Sequence, residues 1–520
     1  MPKHAYKYLI IWGLLVSCAS DGFNMALNED TLEPWTETVV KDIPGKRYGV
    51  RWLANDDSDL GERCFDAIGL RARFGVGNTY GASDFDHVYP WNQIRRCNIR
   101  CEAGVTIITY DDDPAFKLDG SNGDVFVRIP KCYVEKYREG DYEYRVVSAI
   151  GRKPHPAFIE NGLELDAIYV SAFEGWMSSD SLLHSVADVI PTSNITAQQF
   201  LDAAQRRGPQ YSLYDMRTID LLYTLIAVEF GCRNTGIIFG HGIADYCQPQ
   251  EKQLNTERNY YSLKMQQQTN SITCQRQWKN LITVGSAVCI CQGNQNDILT
   301  FARVTNISTY KGLTTYTFDG PPIDITPYCF IGNCGQVTNW TETCSAPHSS
   351  YMGRANIMEN GFLPRERNPM RYRWMENLVG NLWHFIPDVT LFNQQLYVCD
   401  NMAHYQFGCF DGAYTPFGPS LPLNTDNSSL IDKRGINYWI SALVDDSEGK
   451  GISMGVDYNR TMLSTEGFGA YYYVGTGLCI LVNGGGFDHR FRCNMLTTRA
   501  WDSPNRRWHL YGARLIFKEI

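Results

Sequence analysis

The stretch from Val482 to Phe517, VNGGGFDHRFRCNMLTTRAWDSPNRRWHLYGARLIF, has no sustained period of 2 or 3.6. Neither an ordinary half-buried strand nor a core helix is expected along its length. Between Gly484 and Gly512 it carries five Arg, five aromatic residues and two His, with only two Asp. That is a net charge of +3 (five Arg minus Asp488 and Asp502, His neutral) in a chain whose total is -9. Long basic and aromatic side chains crowded between glycines suit a surface that binds something. The competing account is an irregular loop that covers a core and packs the stems of its Arg and Trp on it.

A chain of 520 residues exceeds one ordinary domain, so two to four units are expected. Apolar content of 44% and charged content of 20% exclude a disordered chain and the charge balance of a nucleic-acid binder. The 31 Tyr, 12 Trp and 45 Gly favour strands, turns and recognition surface over helical bundles. The 17 Cys contain no CxxC pair; the nearest spacings are Cys97-x3-Cys101, Cys289-x-Cys291 and Cys329-x4-Cys334, without a matching His pair. No zinc site, other metal or cofactor is therefore expected, and most of the Cys read as small buried hydrophobes.

Residues 1–24 read as a leader. Lys3 and Lys7 flank the start of an apolar run too short to span a membrane, and Leu15-Val16-Ser17-Cys18 is similar to a lipobox, with Cys18 as the lipidated residue. Equally, Met25 is a plausible start, which would make the first 24 residues an over-extended gene. Residues 25–45 form a polar linker with Pro34 and Pro44. From Arg47 to about Arg128, short strand signals (YGVRWL, GVTIITY, DVFVRI) alternate with polar turns. The run Asp111-Asp112-Asp113 reads as a solvated turn rather than a Ca²⁺ site.

Two helices follow. Thr196-x-x-Gln199 is a capping box before an apolar stripe that stops at Gly208. Asp215 caps a second helix with Met216, Ile219, Leu222, Tyr223, Ile226 and Phe230 on its buried face, ended by Gly231. Residues 266–335 read as strands, with Lys311-Gly312 at a hairpin turn. Further strands are expected at about 469–474 and at 478–483. A G-x-S-x-G match at Gly451 to Gly455 lacks the strand and helix of a nucleophile elbow and reads as a glycine-rich loop.

Several blocks taken together carry a resemblance. They are YGVRW (Tyr48 to Trp52), SDFDHVYPWNQIRRCNI, DGSNGDVFVRIPKCYVEKY, HPAFIENGLELDAIYVSAFEG, the Leu221-Leu222-Tyr223 helix and ENLVGNLWHF (Glu376 to Phe385). In this order they resemble phage tail proteins of a C-type lectin-like family. That family includes the variable proteins diversified by retroelements and shares its fold with formylglycine-generating enzymes. The ending GGG…GARL looks like a variable region, although Phe487 follows the glycines where the family usually has Gly-Gly-x-Trp or Gly-Gly-Ser-Ser. The resemblance covers about residues 46–520.

It implies an α+β fold: a leader (1–24), a linker and β-rich N-terminal part (25–124), a C-type lectin-like domain in two parts (125–265 and 336–520) and a small β insertion (266–335). It also implies a non-enzymatic binding surface at about 482–514. The exposed candidates are Phe487, Asp488, His489, Arg490, Arg492, Leu496, Thr497, Arg499, Trp501, Arg506, Arg507, Trp508, His509 and Tyr511. Trp501, Trp508 and Tyr511 would be aromatic anchors, and Arg490, Arg499 and Arg506 would meet carboxylate or phosphate groups. About a third of these side chains, Trp501 and Leu496 foremost, are expected to pack inward. Gly512, Ala513, Arg514, Asn381 and Trp383 look like fixed scaffold. The implied partners are a host-surface protein or glycan and other tail or surface proteins, with the chain as a possible homotrimer and no nucleic acid. Two alternatives stand beside the phage tail receptor-binding protein: a bacterial surface lipoprotein with the same variable domain, and a formylglycine-generating-enzyme-like oxidase. The oxidase needs a pair of closely placed C-terminal Cys, and here only Cys479 and Cys493 stand in that region.

Overall fold

The computed structural model describes residues 45–520 apart from 55–57, 75–82, 245–260, 276–281, 294–296, 344–368, 422–438, 444–449, 460–469, 471 and 490–491. The leader, with Cys18 and Met25, lies outside the described residues, as does Arg490.

Strands make up 40% of the described residues and helices 12%, in mostly antiparallel sheets. This corrects the expected α+β class: the protein is β-rich. The two helices with clear sequence signals form where expected. Helix α1 (Ala197–Gln205) opens with Thr196 and Gln199 capping each other's backbone N–H groups. Helix α2 (Met216–Phe230) opens with Asp215 accepting from Thr218 N and ends at Gly231 with φ 65°. The class differs because most of the remaining chain pairs as short strands, many with partners far away in sequence.

Three sheets carry most of the architecture. A four-stranded sheet orders Glu62–Phe65, Arg47–Leu53, Tyr142–Ser148 and Tyr133–Glu139. A six-stranded sheet orders Tyr211–Leu213, Leu515–Lys518, Ala167–Ser171, Asp124–Pro130, Arg95–Glu102 and Val105–Tyr110. The chain's last strand is thus inserted between two earlier ones, with Tyr169 opposite Phe517. In the third sheet, Trp383–Phe392 lies between Gln395–Val398 and Leu478–Asn483, and Thr498–Asp502 follows beyond. One large apolar core joins these sheets to α1 and α2.

Residues 271–333 build a separate five-stranded sheet with its own core around Ile272, Val288, Ile290, Tyr316 and Ile331. Its hairpin turns at Lys311 (φ 47°) and Gly312 (φ 79°) between the paired Tyr310 and Leu313. Two successive positive φ values are what a two-residue hairpin of the twist-matching kind requires. Asp111 and Asp112 meet Arg95 at 3.6 Å and 2.6 Å.

Helix α2 is buried at every position from Met216 to Glu229, including its charged residues. Asp220 shows how this is tolerated. Its carboxylate meets Lys136 Nζ at 2.5 Å, His155 Nε2 at 2.7 Å and Arg145 Nη1 at 3.6 Å, and it accepts a hydrogen bond from Ser453 Oγ. Burial alone would push the Asp220 carboxyl up, but Lys136 and His155 beside it hold it well below the usual carboxylate range. Ser453 is the central residue of the G-x-S-x-G match. Its hydroxyl and the His155 ring both meet the Asp220 carboxylate, which suits a charge lock tying the 451–454 loop to α2. Replacing Asp220 by Ala strands buried cations and should cost about 3–5 kcal/mol in denaturant unfolding. Ser453→Ala should cost about 1–3 kcal/mol. Equal, small losses would show that the lock does not hold the fold.

Candidate functional site

The C-terminal segment leaves and rejoins one strand. Leu478–Asn483 pairs with Trp383–Phe392 on one side and Thr498–Asp502 on the other. After a further loop, Tyr511–Gly512 runs parallel to Trp383–His384. The segment is therefore two loops, 484–497 and 503–510, standing on a continuous sheet. The glycines at the first loop are demanded by crowding. Gly485 has φ 89°, and a Cβ there would lie 2.5 Å from Cys493 Sγ. A Cβ on Gly486 would lie 2.9 Å from the Trp383 ring.

This close approach overturns part of the expected surface. Phe487, Thr497, His509 and Tyr511 are buried, so they are not exposed contacts; Leu496 packs inward as expected, whereas Trp501 is only half-buried. Phe487 N donates to Asn381 O at 2.8 Å, which draws its ring under the loop. Thr497 Oγ1 donates to Arg492 O at 2.7 Å, closing the loop on itself. Leu496 joins the main core as an apolar side chain must when its loop turns inward. Tyr511 is placed by strand pairing beside Trp383, and its hydroxyl donates to Asp502.

Asp488, His489, Arg492, Arg499, Trp501, Arg506 and Trp508 are half-buried, and Arg507 is exposed. Asp488 and His489 are mutually engaged at 2.6 Å, with the imidazole edge-on to Trp383. Burial pushes the Asp488 carboxyl up, and His489 beside it more than offsets this, leaving it below its ordinary range.

The second loop holds the best-formed constellation. Asp502 forms an ion pair with Arg499 Nε at 3.0 Å, accepts a hydrogen bond from the Tyr511 hydroxyl, and stands 3.7 Å from Arg506 Nε. Arg499 and Arg506 flank Trp508 at 5.3 Å and 5.2 Å from its ring centroid. Trp508 in turn stands edge-on to Tyr511 at 5.4 Å. One nearly buried carboxylate thus fixes two guanidinium groups around an indole. The Arg506 side chain remains 41% exposed, and next to it lies the exposed Arg507. Asp502 was counted only as charge in the sequence; no local signal marks it as the organiser. Arg514 is fully buried and donates to Ser171 O at 2.6 Å and to Glu376 O, the scaffold position expected of it.

The two C-terminal thiols face backbone carbonyls. Cys479 Sγ meets Thr476 O at 3.5 Å and Cys493 Sγ meets Gly486 O at 3.3 Å. Burial pushes the Cys479 thiol up to about 11. A scan of protein-family models gives no match to this chain, and a search of curated proteins gives no significant match.

His509 offers a test of this geometry. Both its ring nitrogens are buried without a hydrogen-bond partner between the Phe487 and Trp508 rings. Burial pushes its pKa down to about 4 against an ordinary 6.5. Between those values the unfolded chain binds the extra proton, so stability rises with pH across the window and is lost as pH falls through it. The contribution is roughly 3 kcal/mol. His509→Gln should flatten the stability profile between about pH 4 and 6.5 relative to the parent. Parallel profiles would mean that His509 is hydrated.

Proposed function

We propose that this protein is a non-enzymatic ligand-binding protein, a phage tail receptor-binding protein whose C-terminal loops recognise a host surface. The observation that carries this is the Arg499–Asp502–Arg506–Trp508 constellation on a continuous sheet, with Arg507 exposed beside it. Recognition residues work best when their rotamers are held by packing and by supporting hydrogen bonds. Asp502 supplies that support to Arg499, and the Trp508 ring supports Arg506. The exposed guanidinium groups of Arg506 and Arg507 suit acidic groups, because their planar donors match carboxylate or phosphate oxygens. The resemblance to retroelement-diversified tail proteins agrees with this place for a variable surface. It also makes a host-surface protein or glycan the ligand, other tail proteins the assembly partners, and a homotrimer the natural means of raising avidity.

The second reading, a bacterial surface lipoprotein, is favoured by Leu15-Val16-Ser17-Cys18. The mass of the mature N-terminus separates the two: a lipidated Cys18 supports the lipoprotein, and an unmodified start at Met25 or Ala26 removes it. Diversification is tested in the DNA by seeking a near-copy of the 482–514 coding stretch, differing mainly at adenines, beside a reverse-transcriptase gene.

The binding surface itself is tested by substitution. Arg506→Ala with Arg507→Ala should lower adsorption of labelled protein to host cells at least about tenfold, with stability within about 0.5 kcal/mol of the parent. Trp508→Ala should instead lower both adsorption and stability, by about 1–3 kcal/mol, since the ring packs on Tyr511. Undiminished adsorption by the double Arg variant would refute this surface.

A further inference from the structure

Helix α2 and the strand Trp383–Phe392 meet at a buried cluster of charge. Asp215 caps the helix, accepting from Thr218 N at 2.8 Å and from the Thr218 hydroxyl at 2.5 Å. Asp388, from the strand, turns both carboxyl oxygens to the next backbone donor, Met216 N, at 2.9 Å and 3.0 Å. One helix N-terminus thus receives two aspartates from different elements. Glu160 joins them through shared cations. Arg217 Nη2 reaches Glu160 at 3.2 Å and Asp215 at 3.4 Å, and Lys518 Nζ reaches the same two at 2.9 Å and 3.4 Å. All five ionisable side chains are buried.

Their charges do not cancel. Three carboxylates, Asp215, Asp388 and Glu160, stand with two cations, Arg217 and Lys518, a surplus of one negative charge (three minus two). Both cations spend their ion pairs on Asp215 and Glu160, and the Asp388 side chain takes its hydrogen bonds from Met216 N alone among the described residues. The other titratable neighbours of Asp388 are Cys399, Tyr405 and Tyr414, and burial keeps each of them neutral. Tyr405 donates to Asp215 at 3.0 Å and Tyr414 to Pro387 O at 2.6 Å, so neither hydroxyl serves Asp388. Asp400 and Lys450, 3.8 Å apart, are more exposed and are screened by solvent. An uncompensated buried charge is strongly unfavourable, and a bound proton removes it. Burial and the neighbouring Asp215 push the Asp388 carboxyl up to about 7.

We propose that Asp388 carries one proton for the whole cluster near neutral pH, and that releasing it loosens the joint between α2 and Trp383–Phe392. With the proton in place, one Asp388 oxygen keeps the Met216 N–H and no like charge opposes Asp215. Without it, two buried carboxylates repel each other at the first turn of α2. The folded-state value lies above the ordinary 3.8, so the contribution is present in acid and is lost as pH rises through about 7. The same strand pairs with Leu478–Asn483 and with Tyr511–Gly512, so this joint also carries the base of the C-terminal loops.

Two measurements on the full chain test this. Carbon NMR of protein labelled only at the aspartate side-chain carboxyl carbon follows the proton. One resonance, missing from Asp388→Asn, should titrate near about pH 7. The label leaves Glu376, which also titrates near 7, silent. Hydrogen exchange read by mass spectrometry, corrected for the intrinsic pH dependence of exchange, follows the joint. Peptides covering 216–218 and 383–392 should lose at least about tenfold in protection between about pH 6 and 8.5, while α1 keeps its own. Asp388→Asn keeps an acceptor for Met216 N and carries no charge, so its protection should not change over that range. Should that variant fail to fold, Glu376→Gln removes the other carboxyl titrating there and should retain the parent's transition. An Asp388 midpoint below about pH 5, protection in the parent that does not change with pH, a parent-like transition in Asp388→Asn, or its loss in Glu376→Gln would each overturn the proposal.

Discussion

A single buried carboxylate, Glu174, sets the geometry on which the C-terminal half depends. Its two oxygens accept from Asn377 Nδ2 at 3.0 Å, Asn381 Nδ2, Leu382 N at 3.2 Å and His384 Nε2 at 3.3 Å. These partners come from one turn in which Asn377, Gly380 and Asn381 all have positive φ. Asn is among the few side-chain-bearing residues that tolerate this conformation, and the shared carboxylate over-determines it. Asn381 then distributes the constraint. Its side-chain oxygen accepts from Gln336 N at 2.7 Å, its N–H donates to Ile243 O at 2.7 Å, and its carbonyl receives Phe487 N. The residues that follow the β insertion, the loop after α2 and the C-terminal segment thus meet at one asparagine. The start of Trp383–Phe392 and the base of the first C-terminal loop are fixed together.

The same economy of buried charge recurs throughout the core. Arg373 lies between Glu229, at 2.6 Å, and Asp86, at 3.0 Å. Asp215 shares Lys518 and Arg217 with Glu160. Not every carboxylate has a cation of its own, and the consequence is opposite. Burial pushes Glu376 up to about 7, because Arg371 only partly offsets it. Burial and the neighbouring Asp215 push Asp388 up to about 7 as well. Such groups stabilise the fold below their unfolded pKa values and lose that contribution as pH rises through about 7, the reverse of His509. The two windows overlap between about pH 4 and 7, so the raised carboxyls and the His509 imidazole oppose each other's effect on stability there.

How much of this was legible in the sequence depended on the range of the interaction. Thr196, Asp215, Gly231 and the Lys311-Gly312 turn act within four residues, so their roles could be read directly. The strand at Leu478–Asn483 carries its own apolar run and was equally plain. The composition favoured strands, but the strand pairings that make the class β-rich were not legible, because they join segments as distant as Ala167–Ser171 and Leu515–Lys518. Buried Arg371, Arg373, Arg514 and Lys518 look like surface charges until their partners are known. Asn381, Trp383 and Arg514 were recognisable as scaffold only through the family resemblance, and Glu174 carries no local signal of its role.

The C-terminal segment illustrates the limit most sharply. Its basic and aromatic composition was visible at once, but composition does not say which atoms face water. Five of the fourteen candidates turn inward: Gly485 and Gly486 bring the first loop, with Phe487, Leu496 and Thr497, against Cys493 and Trp383, while strand pairing places Tyr511 beside Trp383 and His509 meets the Phe487 and Trp508 rings. Of the described arginines, Arg499 serves partly to hold Trp508 and Asp502 in place. That leaves Arg506 and Arg507 with the freest guanidinium edges, on a loop between two paired strands. If it serves the proposed recognition role, a surface built this way has few reading residues and many supporting ones. Changes at positions 505–507 can alter its chemistry with little penalty, whereas changes at 487, 496 or 511 must also satisfy the core. Any diversification of the segment would be filtered by that distinction, with tolerated variation concentrated in the second loop.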